Sequence, residues 1–204
     1  CAGYGLKPMM WSDMYFVLGN EDKECYSEDS VISEEVKKKI TKDVDMVFWD
    51  YYHREESFYS NWVQRHRDLG CEPVVGSAIW TWSRWWYDKD ITEATAGPCL
   101  NACIKAGVKE VLITLWGGGG AYCEFDSCLA GLCWAADLAF GGDGDPERTG
   151  KLFAAITGGD YRHYQTAAGL ELYVDKVNCG VGQIICDDPL LGKWHKKLEA
   201  KGGD

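Results

Sequence analysis

Four short apolar runs set the frame for this chain, and each leads into a tryptophan. "KPMMW" ends at Trp11, "VDMVFW" at Trp49, "PVVGSAIW" at Trp80 and "EVLITLW" at Trp116. None alternates apolar with polar residues. A strand that shows one face to water alternates, whereas a strand covered on both faces reads as a continuous apolar run. The runs therefore predict strands of a parallel sheet.

The segments between them carry helical signals. "ISEEVKKKITKD" follows a Ser-x-x-Glu cap at Ser30 or Ser33. "REESFYSNWVQRHRDLG" is amphipathic, basic towards its C-terminal end and stopped by Gly70. "ITEATAGPCLNACIKAG" closes at Gly107, with an expected break near Gly97-Pro98, and "CLAGLCWAADLAFG" closes at Gly141. The order is β-α-β-α-β-α-β-α, with successive strands about 30 to 40 residues apart. Right-handed crossovers then give a parallel α/β sheet.

Four βα units are half of a (β/α)8 TIM barrel, or alternatively a small open sheet. The distinctive residues favour the half barrel. Trp11-Ser12-Asp13, Trp49-Asp50-Tyr51-Tyr52, Trp80-Thr81-Trp82 and Trp116 follow every strand, and in a barrel that rim carries the site. An open sheet would concentrate them at one switch point. The expected organisation is residues 1–145 as four βα units and residues 146–204 as a helical or irregular C-terminal region beginning at "GDGDPERTGKLF".

Composition removes several classes. A formal charge of −11 argues against nucleic acid, which needs a positive footprint. No apolar run has the length of a membrane span, and no signal peptide is visible. The ten cysteines are scattered, with no C-x-x-C, and the four histidines have no zinc spacing. They read as reduced thiols of a cytoplasmic protein, and neither a metal nor a nucleotide cofactor is indicated. The chain starts at Cys1 rather than Met, and "CAGYG" reads as the end of a helix, so further sequence upstream is expected.

Ten Trp and eleven Tyr exceed the needs of a core of this size. Aromatics interleaved with acids suit a carbohydrate pocket, because a pyranose lays its C–H face on a ring while its hydroxyls need acceptors. Asp13 and Asp50 are candidate acceptors, with a helix cap or loop anchor as the alternative for each. The glycines Gly117 to Gly120 let a backbone approach a ligand closely and return the chain to Glu124. They lack the Gly-Lys-Ser/Thr ending of a phosphate loop.

"KPMMWSDMYF", "VDMVFWDYYH", "VVGSAIWTWSRWW" and "ITLWGGGGAYCEF" resemble the second half of the barrel in bacterial β-N-acetylhexosaminidases of glycoside hydrolase family 20. "CDDPLLGKW" resembles a closing segment of one cytoplasmic-type subgroup. The resemblance runs along nearly the whole chain. It implies a retaining exo-β-N-acetylhexosaminidase that removes terminal β-linked GlcNAc or GalNAc by substrate-assisted catalysis. In that mechanism the substrate's acetamido oxygen attacks the anomeric carbon. A Glu protonates the leaving oxygen, and the Asp before it orients the acetamido group.

The Asp-Glu pair follows the fourth strand of the family's barrel, so it is expected upstream of Cys1, and this chain alone is expected to be inactive. The resemblance assigns Trp11, Trp80 or Trp82, and Trp116 to the aromatic box, and Asp50 and Glu124 to the acids around the sugar, with Asp13 a candidate substrate contact from its place just past Trp11. Where the family has Tyr-x-Asp, this chain reads Phe48-Trp49-Asp50, so Tyr51 or Tyr52 takes the acetamido-orienting role, with Tyr52 preferred. The implied partners are an N-acetylhexosamine-containing glycan and the N-terminal half of the same enzyme, with a homodimer closing the barrel as a further arrangement. Two other readings are a non-catalytic carbohydrate-binding module and a smaller hydrolase or transferase using Asp13, Asp50 and Glu124 themselves.

Overall fold

The structure, a computed structural model, describes residues 1–117, 123–170, 190–192, 196 and 199. The chain divides into two compact units. The first comprises Cys1–Ala78 and Ala94–Ile113, the second Ile79–Glu93 and Thr114–Asp204.

The fold is α/β. Four strands, β1 (Met9–Trp11), β2 (Asp45–Trp49), β3 (Val74–Ala78) and β4 (Val111–Thr114), form one sheet in the order β1-β2-β3-β4. The β1–β2 and β2–β3 pairings are parallel. This sheet is compatible with half of a barrel. Seven α-helices accompany it among the described residues: α1 (Asp13–Val17), α2 (Glu34–Lys39), α3 (Glu56–Asp68), α4 (Lys89–Ala106), α5 (Cys128–Ala139), α6 (Pro146–Thr157) and α7 (Tyr161–Ala167). None is long and apolar enough to cross a membrane.

Local chemistry explains the helix limits. Ser33, not Ser30, caps α2, its hydroxyl accepting from Val36 N at 3.3 Å. The cap is needed because α2 buries no residue of its own. Helix α3 buries Tyr59, Trp62, Val63 and His66, whose spacing of three and four residues makes one stripe. Asp145 caps α6 by accepting from Arg148 N at 2.7 Å, Pro146 opens its first turn, and Gly158 ends it at φ 73°.

The expected break at Gly97-Pro98 does not occur, since α4 runs through Pro98. Proline forfeits one backbone hydrogen bond there. Packing on either side offsets it, for Ala96, Cys99, Leu100, Ala102 and Cys103 are all buried. Two strand ends also differ from the sequence reading. Strand β3 stops at Ala78, two residues before Trp80, and β4 stops at Thr114, two before Trp116.

The first unit's core lies on one face of the sheet. Met46, Phe48 and Val75 meet Tyr59, Trp62 and Val63 of α3, Cys99, Ala102 and Cys103 of α4, and Phe16 and Tyr26 from the β1–β2 connection. Burying each large side chain contributes about 1.5–3 kcal/mol. All eight described cysteines are free thiols, five of them buried.

Candidate functional site

Strand register assigns the first unit's side chains to opposite faces. Trp11 pairs with Val47, Val47 with Val74, and Trp49 with Gly76. Register partners in a parallel pair share a face, and side chains alternate along each strand. Trp11, Val47, Trp49, Val74 and Gly76 therefore lie on one face, while Met46, Phe48 and Val75 turn to the helices.

Gly76 makes the first face possible. A Cβ there would stand 3.2 Å from Trp49 Cβ and 3.5 Å from Trp11 Cζ3. The missing side chain leaves room for the Trp11 ring and the Trp49 Cβ beside the middle of β3. The Trp49 indole N–H donates to Asp13 Oδ1 at 3.1 Å, which joins the last residue of β2 to the first residue of α1. Trp11 remains 40% exposed and Asp13 half-buried. Tyr51 continues this parity, its ring 5.2 Å from that of Trp49 and its side chain buried. The first unit thus brings together Trp11, Asp13 and Tyr51 of the expected site and adds Trp49 and Gly76.

Asp50 goes the other way. It is 5% exposed, on the helix side of β2. Its Oδ1 accepts from Tyr52 N at 3.0 Å and His53 N at 2.9 Å, with the Tyr59 hydroxyl 3.1 Å away. Its Oδ2 faces His53 Nδ1 at 2.9 Å. A carboxylate so used fixes the loop after β2, so the loop-anchor alternative describes what Asp50 does in this structure. Tyr52, the preferred acetamido-orienting residue, is 54% exposed and off the face of Trp11 and Trp49. Partial burial and the nearby Asp50 carboxylate raise its phenol above the ordinary range.

Beneath the end of β1 lies a buried polar cluster. Ser12 Oγ is 2.7 Å from His66 Nε2, 3.0 Å from Val47 O and 3.4 Å from the Tyr26 hydroxyl. His66 Nδ1 stands 2.6 Å from Trp62 O, so it carries the proton. Burial pushes the His66 imidazole down to about 4 and raises the Tyr26 phenol. The Tyr26 oxygen also accepts from Trp49 N at 3.2 Å. This cluster sets the position of two strand ends, and its groups are inaccessible.

In the second unit, the residues after β3 form a tightly held loop. The rings of Trp80 and Trp82 are 3.8 Å apart at 31°. Trp80 N donates to Thr92 Oγ1 at 2.9 Å, and Asp88 N to Trp80 O at 2.8 Å. Arg84 Nε donates to Asp88 Oδ2 at 2.9 Å, an ion pair with both side chains 1% exposed. Asp88 Oδ1 accepts from Ile91 N at 2.9 Å, in the first turn of α4. Ser83 takes φ 57°, a strained value for a residue with a Cβ. Removing either charge would leave the other buried, so this pair dictates the loop's shape.

Trp116 is 44% exposed, and its carbonyl accepts from Thr81 Oγ1 at 2.9 Å. Glu124 is exposed. Its amide donates to Trp85 O at 2.7 Å, and its carboxylate caps the short 3-10 turn Phe125–Ser127. Of the glycine loop, Gly117 is described, whereas Gly118 to Gly120 lie outside the described residues, as does most of "CDDPLLGKW".

Sequence reasoning placed Trp49 on the rim without a role and missed Gly76, His53, Arg84 and Asp88. The last two had a signal, an Arg and an Asp four residues apart just before a helix. Gly76 had a weaker one, a glycine in the interior of an apolar strand. No family model and no curated protein matches the chain in sequence comparison.

Proposed function

We propose that this chain is the sugar-binding half of a TIM-barrel β-N-acetylhexosaminidase of glycoside hydrolase family 20, acting on terminal β-linked N-acetylhexosamine by substrate-assisted catalysis. The acid/base Asp-Glu pair comes from sequence other than these residues. One observation carries the reading. The half-exposed Trp11 ring lies beside a strand glycine, Trp49 stands partly buried next to it, and the Trp49 indole N–H fixes the Asp13 carboxylate. A flat apolar surface edged by an acceptor is what a pyranose requires.

Within this reading, Trp11 and Trp49 carry a sugar face and Asp13 accepts from a hydroxyl. Tyr51, rather than Tyr52, is the phenol on that side of the strand and takes the acetamido-orienting role. The family resemblance assigns Trp80, Trp82 and Trp116, all of the second unit, to aromatic contacts and Glu124 to outer hydroxyls. Asp50 acts by holding the β2 loop. Its nearly saturated carboxylate disfavours a small hydrolase that uses Asp13, Asp50 and Glu124 as its own catalytic acids.

A tryptophan-fluorescence titration with a thiazoline mimic of the cyclised intermediate tests this. Saturable quenching, lost in both Trp11→Ala and Trp116→Ala, is the expected result. A flat titration in the wild-type chain would remove the proposal.

A further inference from the structure

The loop after β2 holds one imidazole more tightly than the fold needs. Asp50 Oδ1 alone closes the loop, by accepting the amides of Tyr52 and His53. The His53 carbonyl is tied as well, accepting from the Tyr59 hydroxyl at 2.7 Å. The main chain of His53 is thus fixed on both sides before its ring makes any contact.

The ring is then fixed too. Asp50 Oδ2, which is not used in closing the loop, meets His53 Nδ1 at 2.9 Å. The imidazole stacks on Phe58, with centroids 3.5 Å apart and planes 7° from parallel. The side chain is nevertheless 46% exposed, while the Asp50 side chain is only 6% exposed. Immobilising a half-exposed side chain costs rotamer entropy, and burying a carboxylate costs solvation. Neither expense is required to close a loop already closed by Oδ1.

The result is a directed polar group. With Nδ1 engaged by the carboxylate, the ring's other nitrogen, Nε2, is left over, and it meets no hydrogen-bond partner among the described residues. His53 lies just past the C-terminal end of a parallel strand, where α/β folds place ligand-contacting groups. Such preorganisation lowers the entropy a ligand must overcome on binding.

We propose that His53 is a ligand-contacting residue whose Nε2 hydrogen-bonds a hydroxyl of the bound glycan, and that Asp50 is its positioning residue. The inference rests on the carbohydrate reading above and adds to it a contact that neither the aromatic residues nor Asp13 provides.

The test is 15N-resolved NMR of the histidine side chains in the full chain, with chitobiose as the probe. Only four histidines need assignment, and His53→Phe identifies the relevant signal while keeping a ring to stack on Phe58. The expected result is a saturable shift of His53 Nε2 over the same concentrations that quench tryptophan fluorescence. His53→Phe should bind chitobiose about tenfold more weakly, a loss larger than its drop in melting temperature explains. In Asp50→Asn the ring nitrogens should leave the Nδ1–H pattern, a signature that a purely structural carboxylate would not give. If chitobiose quenches tryptophan while His53 stays silent and His53→Phe binds like wild type, His53 is not a contact and the carbohydrate reading survives. If neither signal responds, both fall.

Discussion

Alternate residues of β2 do opposite work. Met46 and Phe48 turn to the helices, fully enclosed, and Asp50 just beyond the strand spends its carboxylate on the loop and on His53. Trp49 turns the other way, onto Gly76 beside Trp11, with its N–H committed to Asp13. One face is closed by its own protein. On the other, Val47, Val74 and Tyr51 are buried as well and Trp49 is partly buried, while Trp11 stays 40% exposed. A strand can therefore serve stability and recognition at once, because its period of two separates them. Substitutions on the first face should cost folding, and those on the second should cost binding.

The largest effect should come from Phe48→Ala. Phe48 is 0% exposed and touches Tyr26, Tyr59, Trp62 and His66. Denaturant unfolding should show a loss of about 3–5 kcal/mol. A loss below about 1 kcal/mol would mean that this face is not the closed one.

Next comes the pH dependence that His66 imposes on the same face. Above the ordinary histidine range, near pH 6.5, the ring is neutral whether the chain is folded or unfolded, so it adds no slope. As pH falls towards about 4, the folded value, the unfolded chain takes up a proton that the buried ring refuses. Stability should drop by about 3 kcal/mol across that window. His66→Gln should unfold with a correspondingly shallower pH slope, whatever its baseline stability. Equal slopes would place the His66 ring in contact with water.

Gly76→Ala probes the second face from beneath. The added methyl would press on Trp49 Cβ at 3.2 Å, an overpacking cost of about 1–3 kcal/mol. Sugar binding should weaken by more than that loss of stability explains, because both indoles must shift. Trp11→Ala should be the mildest for folding, about 1 kcal/mol or less given its 40% exposure. It should also be among the most damaging for ligand binding. If Trp11→Ala unfolds the protein, the second face is structural and the contrast between faces fails.

The sequence revealed the strands and helices of this fold more readily than the direction of its side chains. Continuous apolar runs identify buried parallel strands, yet the same continuity hides which residues share a face. "FWDYY" offers no alternation to follow, and only the register with β1 and β3 separates Trp49 and Tyr51 from Phe48 and Asp50. The sequence alone therefore does not separate Tyr51 from Tyr52, nor show that Asp50 faces the helices. An apolar run does not show where ladder pairing stops, so Trp80 reads as a strand end although β3 stops at Ala78. The Arg84–Asp88 pair shapes the loop that follows, through burial that composition does not reveal. His53 escaped notice because its significance lies in how firmly it is held, a property of three dimensions.

The central claim is that the open aromatic surfaces recognise an acetamido sugar. Isothermal titration calorimetry of the full chain with N-acetylglucosamine and, separately, glucose tests it most directly. The two sugars share their ring and most hydroxyls, and differ at the acetamido group. The account predicts saturable binding of N-acetylglucosamine at least about tenfold tighter than glucose, a gap of about 1.4 kcal/mol, and abolished by Trp11→Ala. Equal affinity for the two sugars, or no heat from either, would contradict it.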